Sequence, residues 1–146
     1  MLAAVGAILE LAVFSGANRE QAIRTAVASA VREATGPDPA SSCSALSPAG
    51  LSEVVSEFGG AGGASAGVDP LDACTRLVPR LRAQATEQQI QDIARGSVRS
   101  IQFRSDGSAL VIYLAADRRL GAELTMSEHG GRWLIDSAAG GEVAGT

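Results

Sequence analysis

Four side chains in the C-terminal half could move a proton: Asp136, Tyr113, Glu123 and His129. General acid–base chemistry needs a carboxylate or imidazole in a dry cavity, facing a donor that can hold a developing oxyanion. Asp136 or Glu123 would serve as the base and Tyr113 as the donor, with His129 a more distant fourth candidate. Each also has a plainer role. Asp136 ends a strand segment, where a carboxylate caps or pairs. Tyr113 sits in an apolar run, where a tyrosine packs its ring and gives its hydroxyl to water or a backbone carbonyl. Glu123 falls on the polar side of an alternating segment, and His129 lies in a Gly-rich turn, so both are expected in solvent.

Cys43 and Cys74 are the only two cysteines. Two cysteines and one remote histidine cannot close a zinc site, which wants four ligands. In an exported chain an even count without metal-type clustering points to a disulfide. The alternative is a pair of buried thiols acting as small hydrophobes. Nothing in the sequence calls for a metal or a cofactor.

The elements that would position these residues divide into helices first and strands second. Asn18 and Gln21 have capping-box spacing and open a helix with the stripe Ile23, Val27, Ala30, Val31 and Ala34. Gly36-Pro37-Asp38-Pro39 ends it. Ser47-Pro48 reads as a cap followed by proline at the first helical position, with Leu51, Val54, Val55 and Phe58 on one face. Gly59 to Gly67 is a Gly/Ala/Ser loop. Asp69-Pro70 repeats the cap signature, with Leu71, Cys74, Leu77 and Val78 facing inward until Pro79 interrupts. Thr86 and Gln89 cap a short helix carrying Ile90 and Ile93.

From Ser97 the apolar period changes from 3.6 to 2. Val98 to Arg104 reads as a strand and Asp106-Gly107 as a turn. Ser108 to Ala115 is apolar on both faces, hence central. Ala116 to Arg118 turns the chain into the alternating run from Leu120 to Ser127. Glu128 to Gly131 is a hairpin, and Arg132 to Ser137 is the last strand, with Trp133 and Ile135 on one face. Helices followed by an antiparallel meander give an α+β architecture, N-terminal helices packed on a curved sheet of about four strands.

The N-terminus adds a location. Leu2 to Phe14 is apolar except for Glu10 and is about thirteen residues long, against the roughly twenty that a bilayer requires. Followed by Ser15-Gly16-Ala17, it suits the apolar region of a signal or signal-anchor segment. The alternative is a soluble amphipathic helix that joins the core. The expected division is 1–17 as apolar signal or anchor, 18–139 as the folded domain and 140–146 as a flexible tail.

Composition bounds the function further. The apolar fraction is 46% but aromatics are only 3%, so Ala, Val, Leu and Ile must fill the core. The net charge is −4, and all twelve basic residues are scattered arginines. No basic stripe with interleaved aromatics exists to hold a nucleic-acid backbone.

Cys43-Ser44-Ala45-Leu46-Ser47-Pro48, Asp72-Ala73-Cys74, Ser97-Val98-Arg99-Ser100-Ile101 and Gly131-Arg132-Trp133-Leu134-Ile135-Asp136, in this order around the two-sided strand near Val111, resemble a group of exported actinobacterial domains related to the nuclear transport factor 2-like superfamily. The resemblance covers roughly residues 20–138. It implies a curved sheet wrapped around a helix layer, a cone whose open end can hold a ligand. Fuller members carry an extra strand pair or insertion where this chain has the 59–67 loop. The superfamily includes ketosteroid isomerases and polyketide cyclases, which makes an enzyme using Asp136 or Glu123 opposite Tyr113 one expectation. An assembly module of a membrane complex is another. The preferred expectation is a non-catalytic extracytoplasmic or membrane-tethered domain that binds a small apolar ligand or an envelope protein.

Overall fold

The computed structural model describes residues 2–58 and 69–142. The Gly-rich loop at 59–67 and the end of the expected tail lie outside the described residues. Helix α1 (Leu2–Thr35) is followed by a 3-10 segment (Pro39–Ala45), α2 (Pro48–Phe58), α3 (Pro70–Gln84) and α4 (Glu87–Ala94). Strands β1 (Ser97–Phe103), β2 (Ala109–Leu114), β3 (Leu120–His129) and β4 (Arg132–Glu142) then form one antiparallel sheet in the order β1-β2-β3-β4. The α+β reading is thus borne out.

The first helix departs from the expected boundaries. It runs without a break through Asn18, so Asn18 and Gln21 sit in helix interior and form no capping box. Gln21 instead donates to Thr25 Oγ1, one turn on. An apolar, alanine-rich stretch without proline before Asn18 propagates the helix through Gly6 and Gly16, because adding a residue to an existing helix costs far less than nucleating one. No helix among the described residues is long and apolar enough to cross a membrane.

The stripe expected on this helix is present. Ile23 and Val27 are fully buried, and Ala26, Ala30 and Val31 pack at their margin. They meet Ala109, Val111 and Tyr113 of β2, Leu124 and Met126 of β3, and Trp133 and Ile135 of β4. Phe103 on β1 and Trp133 on β4 start from strands about 14 Å apart in a flat sheet. Their ring centroids are nonetheless 6.3 Å apart in an edge-to-face contact, over the methyl-sized Ala109 between them. The guanidinium of Arg19 lies 4.1 Å from the Phe103 centroid and extends this aromatic cluster.

Two connections, to the 3-10 segment and to the end of α1, decide how α3 sits. Cys43, in the 3-10 segment, and Cys74, in α3, are both buried and meet at disulfide-bonding distance, with Cα atoms 6.1 Å apart. Arg82, near the end of α3, donates to the carbonyls of Ala34 and Gly36 at 2.8 and 2.7 Å. These carbonyls have no partner within α1, so Arg82 caps the first helix from the third. The same anchors correct the expectation that Pro79 ends α3. The helix continues to Gln84 with Pro79 inside it and exposed. A proline within a helix costs about 3 kcal/mol, and here it lies between Cys74 and Arg82, each fixed to the first helix or its extension. Leu71 was expected to face inward but is 43% exposed, at the first turn of α3. Asp69 occupies the cap position of α3 without a side-chain hydrogen bond, whereas Thr86 and Gln89 form the full reciprocal box at α4.

The turns follow their residues. Gly107 adopts φ 90° after Asp106, whose carboxylate accepts from Ser108 N at 2.9 Å. Gly130 and Gly131 both take positive φ, as a two-residue hairpin requires. The last strand continues to Glu142, pairing Gly140 with Ala122 and Gly141 with Gly121, so residues 140–142 are sheet rather than tail.

Candidate functional site

Alternation along the strands assigns each candidate residue to a face. The odd-numbered residues of β2 (Ala109, Val111, Tyr113) and the even-numbered residues of β3 (Leu124, Met126) point at α1 on the inner face. Leu110, Ile112 and Leu114, with Glu123, Thr125 and Ser127, point outward.

Tyr113 is therefore an inner-face residue, 8% exposed, on the floor of an open groove of about 430 Å³ bounded by Val27, Val31 and Val98. Its hydroxyl donates to the carbonyl of Ile93 at the end of α4. Burial pushes this hydroxyl above its ordinary pKa. Gly96 leaves room for it: a Cβ there would lie 2.8 Å from the tyrosine oxygen and 2.3 Å from the Leu114 carbonyl. Tyr113 thus locks the α4–β1 corner. Glu123 is exposed on the outer face, between Ile112 and Ala139.

Asp136 is placed by a feature that alternation does not reveal. Thr125 faces Ser137 and the next residue, Met126, faces Ile135, which leaves Asp136 as the extra residue of a β-bulge in the edge strand. Its carboxylate accepts from the Ser127 hydroxyl and lies 3.1 Å from His129 Nε2, which is itself 2.8 Å from Ser127 Oγ. The N-terminus of α2 closes the group from below. Ser47 Oγ accepts from Gly50 N at 3.2 Å, as the expected helix cap, while Ser47 N donates to the Ile135 carbonyl at 2.9 Å. Gly50 is required by this approach, because a Cβ there would come within 2.2 Å of the Ile135 carbonyl oxygen. Burial alone would raise the Asp136 pKa. Hydrogen bonds from Ser127 and His129, the nearby Ser47 hydroxyl and the charge of a protonated His129 outweigh it and hold the carboxyl below its usual range.

Serine, histidine and aspartate together invite comparison with a nucleophilic triad, but the geometry is different. A triad uses both ring nitrogens, one toward the nucleophile and one toward the carboxylate. Here Nε2 alone reaches both partners, and the Ser127 proton is given to Asp136. The hydroxyl is not poised for attack. The three residues form a closed ring across the β3–β4 hairpin, next to the Ser47–Ile135 hydrogen bond that joins this hairpin to the start of α2.

The structure brings Asp136 and His129 together but keeps Tyr113 and Glu123 apart from them. Tyr113 pairs in register with Ala122 on β3, four positions from Met126, which stands beside the Asp136 bulge. Four strand residues span about 13 Å, and the two side chains leave opposite faces of the sheet. Ser127 was not singled out from the sequence, and Ser47 only as a helix cap. The period-2 spacing of Ser127 and His129 puts both on one strand face, and this was the available signal. Among the described residues, no group of three or more His, Cys, Asp or Glu side chains could hold a metal ion.

The fold and this polar cluster define an α+β domain in which helices cover one face of a four-stranded antiparallel meander. No protein-family model and no curated protein matches the chain.

Proposed function

We propose that the protein is a non-catalytic extracytoplasmic binding domain, targeted or held there by its apolar N-terminal segment. The outer face of its sheet is the surface it offers to a small apolar ligand or an envelope protein. The observation that carries this reading is the contrast between the two faces. The centre of the inner face, where a cone-like fold would keep a ligand, is occupied by Ile23 and Val27 of α1 packed on Val111 and Met126, and what remains beside α1 is open groove rather than enclosed cavity, as at Tyr113. The outer face leaves Leu110, Ile112 and Leu114 half-buried beside Glu123 and Thr125. The extracytoplasmic half of the reading is supported by the approach of Cys43 and Cys74, since oxidising compartments preserve such pairs. The non-catalytic half is supported by the dispersal of the three acid–base candidates: Tyr113 is bonded to the Ile93 carbonyl, Asp136 to Ser127 and His129, and Glu123 is exposed on the outer face.

The test is the intact mass of the protein recovered from its native host, fractionated into envelope and cytoplasm, with and without reduction before alkylation. A photo-cross-linking residue at Ile112 is included. The expected result is envelope protein that takes up no alkylating agent until reduced, and an adduct formed from position 112. Cytoplasmic protein with two alkylatable thiols would overturn the reading.

A further inference from the structure

Three arginines gather at the end of the sheet opposite the Asp136 cluster, each delivered by a backbone irregularity. Arg95 is the C-cap of α4, with φ −93° and ψ 1°. Arg99 is the extra residue of a β-bulge in β1, since Val98 faces Tyr113 and Ser100 already faces Ile112. Arg118, in the β2–β3 turn, is the only non-glycine residue with positive φ among the described residues, at 61°. Together they rim an open bowl of about 490 Å³ whose wall includes Ser97 and Leu114.

No carboxylate lines this bowl, and none of the three guanidinium groups has a hydrogen bond or ion pair among the described residues. On a chain of net charge −4, three unpaired cations around one concavity are a local reversal of sign. Their mutual repulsion would be relieved by an anion. Guanidinium forks suit phosphate, whose oxygens accept two parallel N–H bonds from each.

The bowl does not end at its arginines. Arg99 and Leu114 also line a second open depression of about 320 Å³ on the outer face, between Ile112 and the small residues Gly121, Ala139 and Gly141. A cationic cup thus continues into an apolar trough floored by residues too small to fill it. Glu123 stands at the border of the trough and contributes the one negative charge there. We propose that this continuous surface binds an anionic phospholipid, with the headgroup phosphate among Arg95, Arg99 and Arg118 and an acyl chain along Ile112 and Leu114. The proposal rests on the outer face being the binding surface and names the chemistry of its ligand.

The experiment is flotation of the full chain with vesicles of phosphatidylcholine, alone or mixed with phosphatidic acid, alongside titration with inorganic phosphate followed through backbone amide resonances. Because the N-terminal segment can itself associate with lipid, the comparison is between the natural chain, the triple variant R95Q/R99Q/R118Q and the control Arg76→Gln, all carrying that segment. Each arginine near an anionic surface contributes about a fivefold gain in partitioning, so the triple variant is expected to lose about a hundredfold with phosphatidic acid. Arg76→Gln and the phosphatidylcholine vesicles should show no difference from their controls. Circular dichroism of the triple variant checks that its fold is kept. Ile112→Asn alone, with all three arginines kept, reads the trough independently: weaker flotation with phosphatidic acid is expected, and flotation equal to that of the natural chain would overturn the placement of an acyl chain there. Equal flotation of the natural chain and the triple variant would overturn the proposal. So would a natural chain that ignores phosphatidic acid, whether or not inorganic phosphate shifts the Arg99 and Leu114 amides; a shift without flotation would leave an anion site that is not a lipid site. If the lipid result is negative while position 112 still cross-links to an envelope protein, only the ligand chemistry fails and the outer-face reading stands. If neither occurs, both fail.

Discussion

The two faces of the sheet are built from the same strands but solve different problems. On the inner face, Val111 and Met126 are fully buried under α1, and Trp133 meets Phe103 edge to face. Each inner side chain is surrounded, so removing one leaves a hole. On the outer face Leu110 lies between Gln102 and Thr125, Ile112 between Ser100 and Glu123, and Leu114 between Ser97 and Gly121, and the apolar residues stay half in water. The inner face holds the fold together, and the outer face is free to vary without unfolding it. The ends of the sheet differ as well: at one, Asp136, Ser127 and His129 satisfy one another, while at the other Arg95, Arg99 and Arg118 have no protein partner among the described residues.

The largest expected effect tests the inner face. Trp133→Ala should cost about 3–5 kcal/mol in denaturant unfolding, because it removes a buried ring and leaves a cavity beside Phe103. A loss below 1 kcal/mol would mean that this contact contributes little. Next comes the covalent tie on which α3 depends. Opening the Cys43–Cys74 link, which spans 31 residues, should cost about 3–4 kcal/mol by loop-closure entropy. A melting temperature unchanged by reductant would show that the thiols are not joined.

The hairpin ring gives a smaller, pH-dependent effect. The Asp136 pKa is depressed in the folded state, so its contribution is present above the ordinary aspartate value near 3.9 and is lost as pH falls through the folded value. Asp136→Asn should cost about 1 kcal/mol at neutral pH, given that the ring is partly in solvent. The difference between variant and natural chain should shrink in acid. A difference independent of pH would remove the ionised carboxylate from the explanation. The smallest effect belongs to the outer face: Ile112→Val, which trims one methylene from a half-buried side chain and keeps its β-branch, should stay within about 0.5 kcal/mol. A loss comparable to that of Trp133→Ala would erase the distinction between the faces.

Much of this arrangement was legible in the sequence, for reasons that differ from element to element. Thr86 and Gln89 announce a capping box and form one, because both hydrogen bonds close within four residues. Gly130 and Gly131 announce a hairpin because few other residues tolerate positive φ at both positions. Pro79 misleads because its cost is local while the anchors that hold the helix through it, Cys74 and Arg82, reach the 3-10 segment and the end of α1. The Asn18 cap misleads because a capping box is a signal only where the helix before it stops. The candidate site was legible as a set of residues but not as a set of contacts. Asp136, Tyr113 and Glu123 share a chemistry on paper, and the register of β2, β3 and β4 then distributes them over two faces.

By itself the sequence determined the order of elements, the turn positions, the buried stripe of α1 and the pairing partners available to Cys43. These depend on residue type and on the periods 2 and 3.6, which act over a few neighbours. The tertiary structure alone decided that Asp136 and Arg99 become bulge residues, that Ser47 bonds to the Ile135 carbonyl beside Asp136 and that Arg82 caps α1. It also gathered Arg95, Arg99 and Arg118 into one bowl. Each of these rests on strand register or on the approach of segments remote in the chain, and a shift of one residue in register would reverse which face every side chain occupies.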